Sequence, residues 1–312
     1  MKTIKLSIFD NFECVASDCK DSCCNAGWQI DIDKKTMQKY SFCDDSFVQN
    51  IRNHIVQNGK EYCIKCNSNG VCPFFRKDGL CDIVKNKGDA YLGEVCRNFP
   101  RINNFVGGRL EQTLSFACEE VVCLVFKQEK INFKYENIKR DFLLKDKNFV
   151  RRDNLINYVQ NKEITFQQKL NYIKEQCNYC NIDFKNIKQT IKNCEWLKTD
   201  LSGFDFENYV QNNQAEKQYH LTEKQLENIL VCYLFRYLLC EEYKSSFIAK
   251  LRFCIFSVLF CDYLAGQKQQ IGDKFFDINA VKEYSREIEN SAKNMEIILK
   301  NLNFWPFLRK FW

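Results

Sequence analysis

Histidine is almost missing from this chain of 312 residues, represented only by His54 and His220. A metal site or a general base built here would therefore draw very little on imidazole. Long apolar runs are missing too. The best candidate, Phe247 to Leu264, is interrupted by Lys250, Arg252 and Asp262, and falls short of the stretch of about 20 apolar residues that a bilayer span requires. Before Asp10 there is no apolar run of signal-peptide length, so export is not expected and the chain reads as a cytosolic protein with reduced cysteines. Neither sign of charge is concentrated. The 46 basic and 40 acidic residues leave +6 with no long run of either, which argues against a nucleic-acid partner. No internal repeat or low-complexity segment occurs. A glycine-rich dinucleotide loop is absent, because Val106-Gly-Gly-Arg109 lacks the G-x-G-x-x-G spacing. Cys19-x3-Cys23 opens a radical-SAM-like spacing, but the third position falls on Ala26.

What the chain has instead is cysteine. Twelve of its 19 cysteines lie in the first 123 residues: Cys14, Cys19, Cys23, Cys24, Cys43, Cys63, Cys66, Cys72, Cys81, Cys96, Cys118 and Cys123. Thiols this dense need partners, either each other or soft metal ions, and an odd total in a reducing compartment favours metal. With so little histidine the ligands would be nearly all sulfur, which suits either zinc or an iron–sulfur cluster, and spacing does not separate the two. Cys63-x2-Cys66 with Cys72 and Cys81 could close a tetrahedral zinc site. The adjacent side chains of Cys23 and Cys24 point in different directions, as if serving two sites, or one site and a core. Cys118 precedes an apparent helix, Glu119 to Phe126, whose positive end would favour its thiolate. Cys177, Cys180, Cys194, Cys232, Cys240, Cys254 and Cys261 sit among apolar residues at helical spacing and read as core.

Composition changes near residue 126. Eight of the 11 glycines, with Pro73 and Pro100, precede it. In that front part Trp28 to Ile32 alternates as a half-buried strand does, and Phe105 to Leu110 reads as a hairpin turning at Gly107-Gly108. Beyond it the apolar spacing is helical: Leu155, Ile156 and Val159, then Leu170 and Ile173, then two stronger helices predicted over 223–243 and 246–264. The expected fold is mainly α, with a cysteine-rich metal-binding domain of short β-hairpins over 1–126 and an α-helical domain over 127–312. The aromatic tail, Phe304-Trp-Pro-Phe307 and Phe311-Trp312, suits a groove or a peripheral membrane contact.

The front part resembles a known family. Cys14-x4-Cys19-x3-Cys23-Cys24-Asn-Ala-Gly27-Trp28-Gln-Ile-Asp-Ile32 is similar to the opening of the flagellin lysine-N-methylases, part of a broader group of cysteine-rich zinc- or iron-chelating proteins. Cys72-Pro-Phe-Phe75, Asp78-Gly-Leu-Cys81, Cys96-Arg-Asn-Phe-Pro-Arg101, and Leu114-Ser115 ahead of Cys118-Glu119 follow in the same order. The likeness covers residues 7 to about 126, and Leu226 to Arg236 resembles a later family helix more loosely.

The resemblance implies transfer of a methyl group from S-adenosylmethionine to flagellin lysines, with a [4Fe-4S] cluster held by cysteines. By position the implied metal ligands are Cys14, Cys19, Cys23, Cys24, Cys72, Cys81, Cys96 and Cys118, more than one cluster needs. Cys43, Cys63, Cys66 and Cys123 fall outside the motif. Arg97 and Arg101 could hold the carboxylate of the methyl donor, or else brace the metal loop against acids such as Glu94 and Glu119. No residue stands out as the catalytic base. The alternative is a non-catalytic zinc- or iron-binding protein acting as an interaction or maturation factor.

Overall fold

The computed structural model describes residues 1–59, 61–177, 184–203, 209 and 219–303. Cys180 and the aromatic tail from Phe304 lie outside the described residues. The fold is mostly helical, with short strands in two small sheets. Two compact units form: Glu13–Arg101 with Cys118–Glu120, and Met1–Phe12 with Ile102–Ala117 and Val121–Trp312. The units do not follow the compositional boundary. The first strand and the Gly107-Gly108 hairpin of the cysteine-rich front part pair within the second, helical unit.

The strands in chain order are β1 (Thr3–Leu6), β2 (Ile30–Ile32), β3 (Ile55–Asn58), β4 (Glu61–Ile64), β5 (Arg101–Val106), β6 (Arg109–Leu114) and β7 (Phe133–Glu136). In the cysteine-rich unit β4 lies between β2 and β3, antiparallel to both, with Ile30 and Ile55 each opposite Ile64. Two helices cover this sheet, α1 (Lys34–Ser41) and α2 (Ser46–Asn53). Ile30, Ile32, Tyr40, Val48, Ile51, Ile64, Phe74 and Ile83 form the core. The expected strand over Trp28–Ile32 is present as Ile30–Ile32.

Both helices are capped by aspartate, as their sequences call for. Asp45 accepts from Phe47 N and Val48 N. Asp33 accepts from Thr36 N at 2.9 Å, Thr36 Oγ1 at 2.7 Å and Glu94 N at 2.8 Å, so one carboxylate fixes the start of α1 and the segment that carries Cys96. Burial pushes the Asp33 carboxyl up, but these hydrogen bonds outweigh it and hold the group below its ordinary 3.8. A carboxylate lowered on folding stabilises the fold above its unfolded pKa, and that contribution disappears as pH falls through the folded value. Asp33→Ala is expected to cost about 1–2 kcal/mol at pH 7 in urea titrations, with the difference from the parent shrinking as pH falls below 3.8 and through the lowered folded value.

In the helical unit the sheet runs β5-β6-β1-β7, with β1 parallel to β6 and antiparallel to β7. β7 is a strand inside the part read from sequence as helical. The β5–β6 hairpin turns at Gly107 and Gly108, whose φ values of 51° and 75° are what a two-residue turn of this hand demands. The remaining helices in chain order are α3 (Asp82–Lys87), α4 (Glu94–Asn98), α5 (Glu119–Lys127), α6 (Arg140–Leu144), α7 (Lys147–Val159), α8 (Phe166–Gln176), α9 (Phe184–Lys192), α10 (Glu223–Tyr237), α11 (Phe247–Gln270), α12 (Phe276–Tyr284) and α13 (Ala292–Asn303). α10 stops six residues before the end expected at 243, and α11 runs six past 264. Both are buried around most of their circumference, as their uniform hydrophobicity predicts. Among the described residues no helix is long and apolar enough to cross a membrane.

Two charge networks lie inside this unit. On β6, Glu111 receives both Nη atoms of Arg152, at 2.5 and 2.9 Å, and Nε of Arg109 at 2.8 Å. A π turn over Ser285–Glu289 presents Glu289 to Arg236 at 2.5 Å and to the hydroxyls of Tyr233 and Tyr237 at 2.8 and 2.6 Å.

Candidate functional site

Every described cysteine is outside a disulfide. Those of the cysteine-rich unit are placed by short turns rather than by long elements, and two glycines show how tightly the turns meet. Gly70 has φ 75°, and a Cβ there would lie 2.8 Å from the Cα of Gly27, so the loop carrying Cys66 and Cys72 presses on the one following Cys24. Cys72 N donates to Cys24 O at 2.9 Å across the same junction. At Gly79, φ 80°, a Cβ would lie 3.2 Å from Ser17 Cα, which seats the Arg76–Leu80 turn against the Ala16–Asp18 turn. That turn is closed by Arg76 N to Leu80 O at 3.0 Å, a bridge between Phe75 and Cys81, and ion pairs from Arg76 to Asp78 and Asp82.

The outcome is a set of thiols around Cys24. Cys24, Cys66, Cys72 and Cys81 all belong to or pack against the core of this unit. Cys66, Cys72, Cys81 and Cys96 each feel the charge of Cys24, and Cys66, Cys72 and Cys96 are coupled among themselves. Burial pushes Cys72 and Cys96 up to about 12, with the neighbouring thiols adding to it. Cys23 donates to Cys24, which raises the Cys23 thiol and lowers that of Cys24.

A dense group of thiols that repel one another when ionised suits a cationic centre, which reverses that repulsion. Among the described residues no group of three or more His, Cys, Asp or Glu side chains is placed to hold a metal ion.

Cys24, Cys66, Cys72 and Cys81 thus share one core, with Cys96 on α4 close enough to Cys24, Cys66 and Cys81 to feel their charge. Cys23 sits at the margin, within reach of Cys96 and Cys14 as well as Cys24. Cys14 and Cys19 form a separate pair beside Glu119, and Cys118 stands immediately before α5 in the same unit. Cys23 and Cys24, whose adjacency suggested side chains pointing in different directions, keep their sulfurs in hydrogen-bond contact instead. Cys66, outside the recognised motif, is the member that sequence order passed over, and its x2 spacing from Cys63 was the available signal. Cys63 itself lies opposite Asp31 in the sheet and is raised by burial and by the charges of Asp31 and Glu61.

Arg97 serves the loop before Cys96. Arg97 donates to the carbonyls of Leu92 at 2.5 Å and Asp89 at 3.4 Å, bracing the turn ahead of Cys96 through backbone rather than through an acid. Glu94 meets Asn98. Arg101 opens β5. Trp28 packs on Phe99 with ring centroids 5.2 Å apart, beside this segment. In the helical unit Cys177, Cys194, Cys232, Cys240, Cys254 and Cys261 are buried, as their apolar surroundings implied.

No family model matches the chain, and no solved structure matches it. Among curated proteins it is 31% identical to the flagellar biosynthetic protein FliU of Salmonella muenchen over 152 residues, 45% of this chain and 89% of that protein. It is 36% identical over 117 residues to a lysine-N-methylase of Salmonella choleraesuis, and over 116 residues to one of Salmonella typhimurium. These stretches cover about a third of this chain, 36% and 35%, and 29% of each methylase, so the chain spans less than a third of those two relatives. With most of the flagellar relative covered at this identity, and the cysteine order of the front part in place, the chain belongs to the flagellin lysine-N-methylase family.

Proposed function

We propose that the chain methylates lysine side chains of a flagellar protein with S-adenosylmethionine as donor, and that Cys24, Cys66, Cys72, Cys81 and Cys96 are the thiols from which a [4Fe-4S] cluster takes its ligands. The observation that carries this reading is that Cys24, Cys66, Cys72 and Cys81, from three segments of the chain, pack on one core, with Cys72 N donating to Cys24 O at 2.9 Å. The names of the relatives supply the reaction class. These thiols would hold the cluster, and a cluster so held would supply a cationic centre for the polar groups of the donor. More thiols than ligands needed is consistent with that arrangement.

The chemistry fixes what the protein must do around it. The acceptor amine attacks the methyl carbon through its lone pair, the carbon–sulfur bond of the sulfonium breaks, and the thioether leaves with the electron pair. A lysine ammonium, with an ordinary pKa of about 10.4, has no lone pair to offer, so the site must desolvate it and take its proton. Arg101 and Arg97 lie on the Cys96 segment, where a guanidinium would meet the donor carboxylate. Arg97 would first have to release its backbone carbonyls.

Incubating the protein, purified under nitrogen, with flagellin and methyl-labelled donor is expected to place label on flagellin lysines. An iron-loaded protein that transfers no label, or a protein holding zinc alone, would overturn the assignment in favour of a non-catalytic metal-binding role.

A further inference from the structure

The unit that gathers the thiols also holds a small receptor for an alkylammonium group. Lys39, in the last turn of α1, places Nζ 3.8 Å from the centroid of the Tyr91 ring and donates to Ala90 O at 2.7 Å. Lys87 approaches the same ring at 5.8 Å while paired with Asp45. An aromatic face with a carbonyl at its rim and a carboxylate nearby is the arrangement that holds a lysine head group, and a ring face continues to hold it after N-methylation, when hydrogen-bond donors are lost.

The receptor is joined to the thiol set by one residue. The hydroxyl of the buried Tyr40 donates to Tyr91 O, and Tyr40 lies close enough to Cys96 and Cys81 to feel their charge. Tyr91 itself packs against the same core as Cys24, Cys66 and Cys81, and its hydroxyl is 4.0 Å from Cys43 Sγ.

We propose that the Tyr91 face, with the Ala90 carbonyl and the Asp45 carboxylate, is the subsite that receives the acceptor lysine of a protein substrate, and that Lys39 fills it when no substrate is bound. This rests on the lysine-methylating reading above. Lys39 is then a self-mimic of the substrate, displaced when a substrate lysine arrives. The half-buried Tyr91 ring makes such exchange feasible without opening the core.

The test uses the full chain without methyl donor, so that it does not depend on turnover. Binding of Nα-acetyl-lysine methylamide and its Nε-trimethyl form is followed by shifts of the tyrosine ring signals in NMR. Removing the internal competitor in Lys39→Ala is expected to tighten binding of both probes about five-fold, with Tyr91 the tyrosine that shifts. Adding Tyr91→Leu should abolish the gain, whereas adding Tyr91→Phe, which keeps the ring and controls for folding, should retain it. The proposal is overturned if Lys39→Ala binds no better than the parent, or if the Leu and Phe variants behave alike. In the methyl-transfer assay Tyr91→Leu should raise the acceptor KM about five-fold and leave the donor KM unchanged. Probe binding that follows this pattern in a protein unable to methylate anything would sink the catalytic reading while leaving the subsite standing. Methylation with unchanged acceptor KM would do the reverse.

Discussion

Replacing Cys24 with serine is expected to strip the anaerobically purified protein of iron and acid-labile sulfide, lowering both about ten-fold or more, while Cys63→Ser leaves them in place. The asymmetry follows from where the two sulfurs stand. Cys24 is the thiol whose charge reaches Cys66, Cys72, Cys81 and Cys96, so removing it takes away the centre of the set. Cys63 is set against Asp31 and Glu61 on β4. Single serine replacements of Cys66, Cys72, Cys81 or Cys96 should give intermediate losses, because one remaining thiol can stand in for another. Retention of full iron by Cys24→Ser, or its loss in Cys63→Ser, would mean that the ligands are wrongly assigned and that the Cys63-x2-Cys66 site is the better description.

Glu111→Ala should be the most destabilising single change in the helical unit, costing about 3–5 kcal/mol in urea titrations. Glu111, Arg109 and Arg152 are each 2% exposed. The carboxylate neutralises two buried guanidiniums, and without it the hydrogen bonds left among the described residues are Arg152 to the Phe235 carbonyl at 3.2 Å and Arg109 to Asp146 at 3.1 Å, beside ring contacts with Phe149 and Phe235. The penalty arises from leaving charge uncompensated rather than from the intrinsic worth of the ion pairs. Replacing Glu111, Arg109 and Arg152 together with apolar residues of similar volume should therefore recover most of the loss. A loss below about 1 kcal/mol for Glu111→Ala would show that water or another acid compensates the arginines.

Local pattern carried much of the fold. Uniform hydrophobicity marked α10 and α11 as buried, and Gly107-Gly108 marked a hairpin, because each signal is complete within a short window. Glu111 shows where such reading stops. Nothing around Arg-Leu-Glu-Gln-Thr-Leu114 announces that its acid is buried, since the reason is Arg152, 41 residues away. β1 escaped for a similar cause: its partners β6 and β7 are far along the chain, and this pairing carries the first residues into the helical unit. At the site, family order named Cys24, Cys72, Cys81 and Cys96 among eight cysteines, and the zinc-like spacing from Cys63 grouped Cys66 with Cys72 and Cys81; the seating of the Cys66–Cys72 loop against Cys24, through Gly70 on Gly27, is a fact of tertiary packing. Cys14, Cys19 and Cys118 lie in the same unit, and the charges that couple the five thiols do not tie them to it in the same way.

Iron, sulfide and zinc analysis of the protein purified under nitrogen, paired with its visible spectrum before and after S-adenosylmethionine is added, tests the central claim most directly. About four irons and four sulfides per chain are expected, with a spectrum that changes when the donor binds. One zinc per chain with neither iron nor sulfide would contradict it.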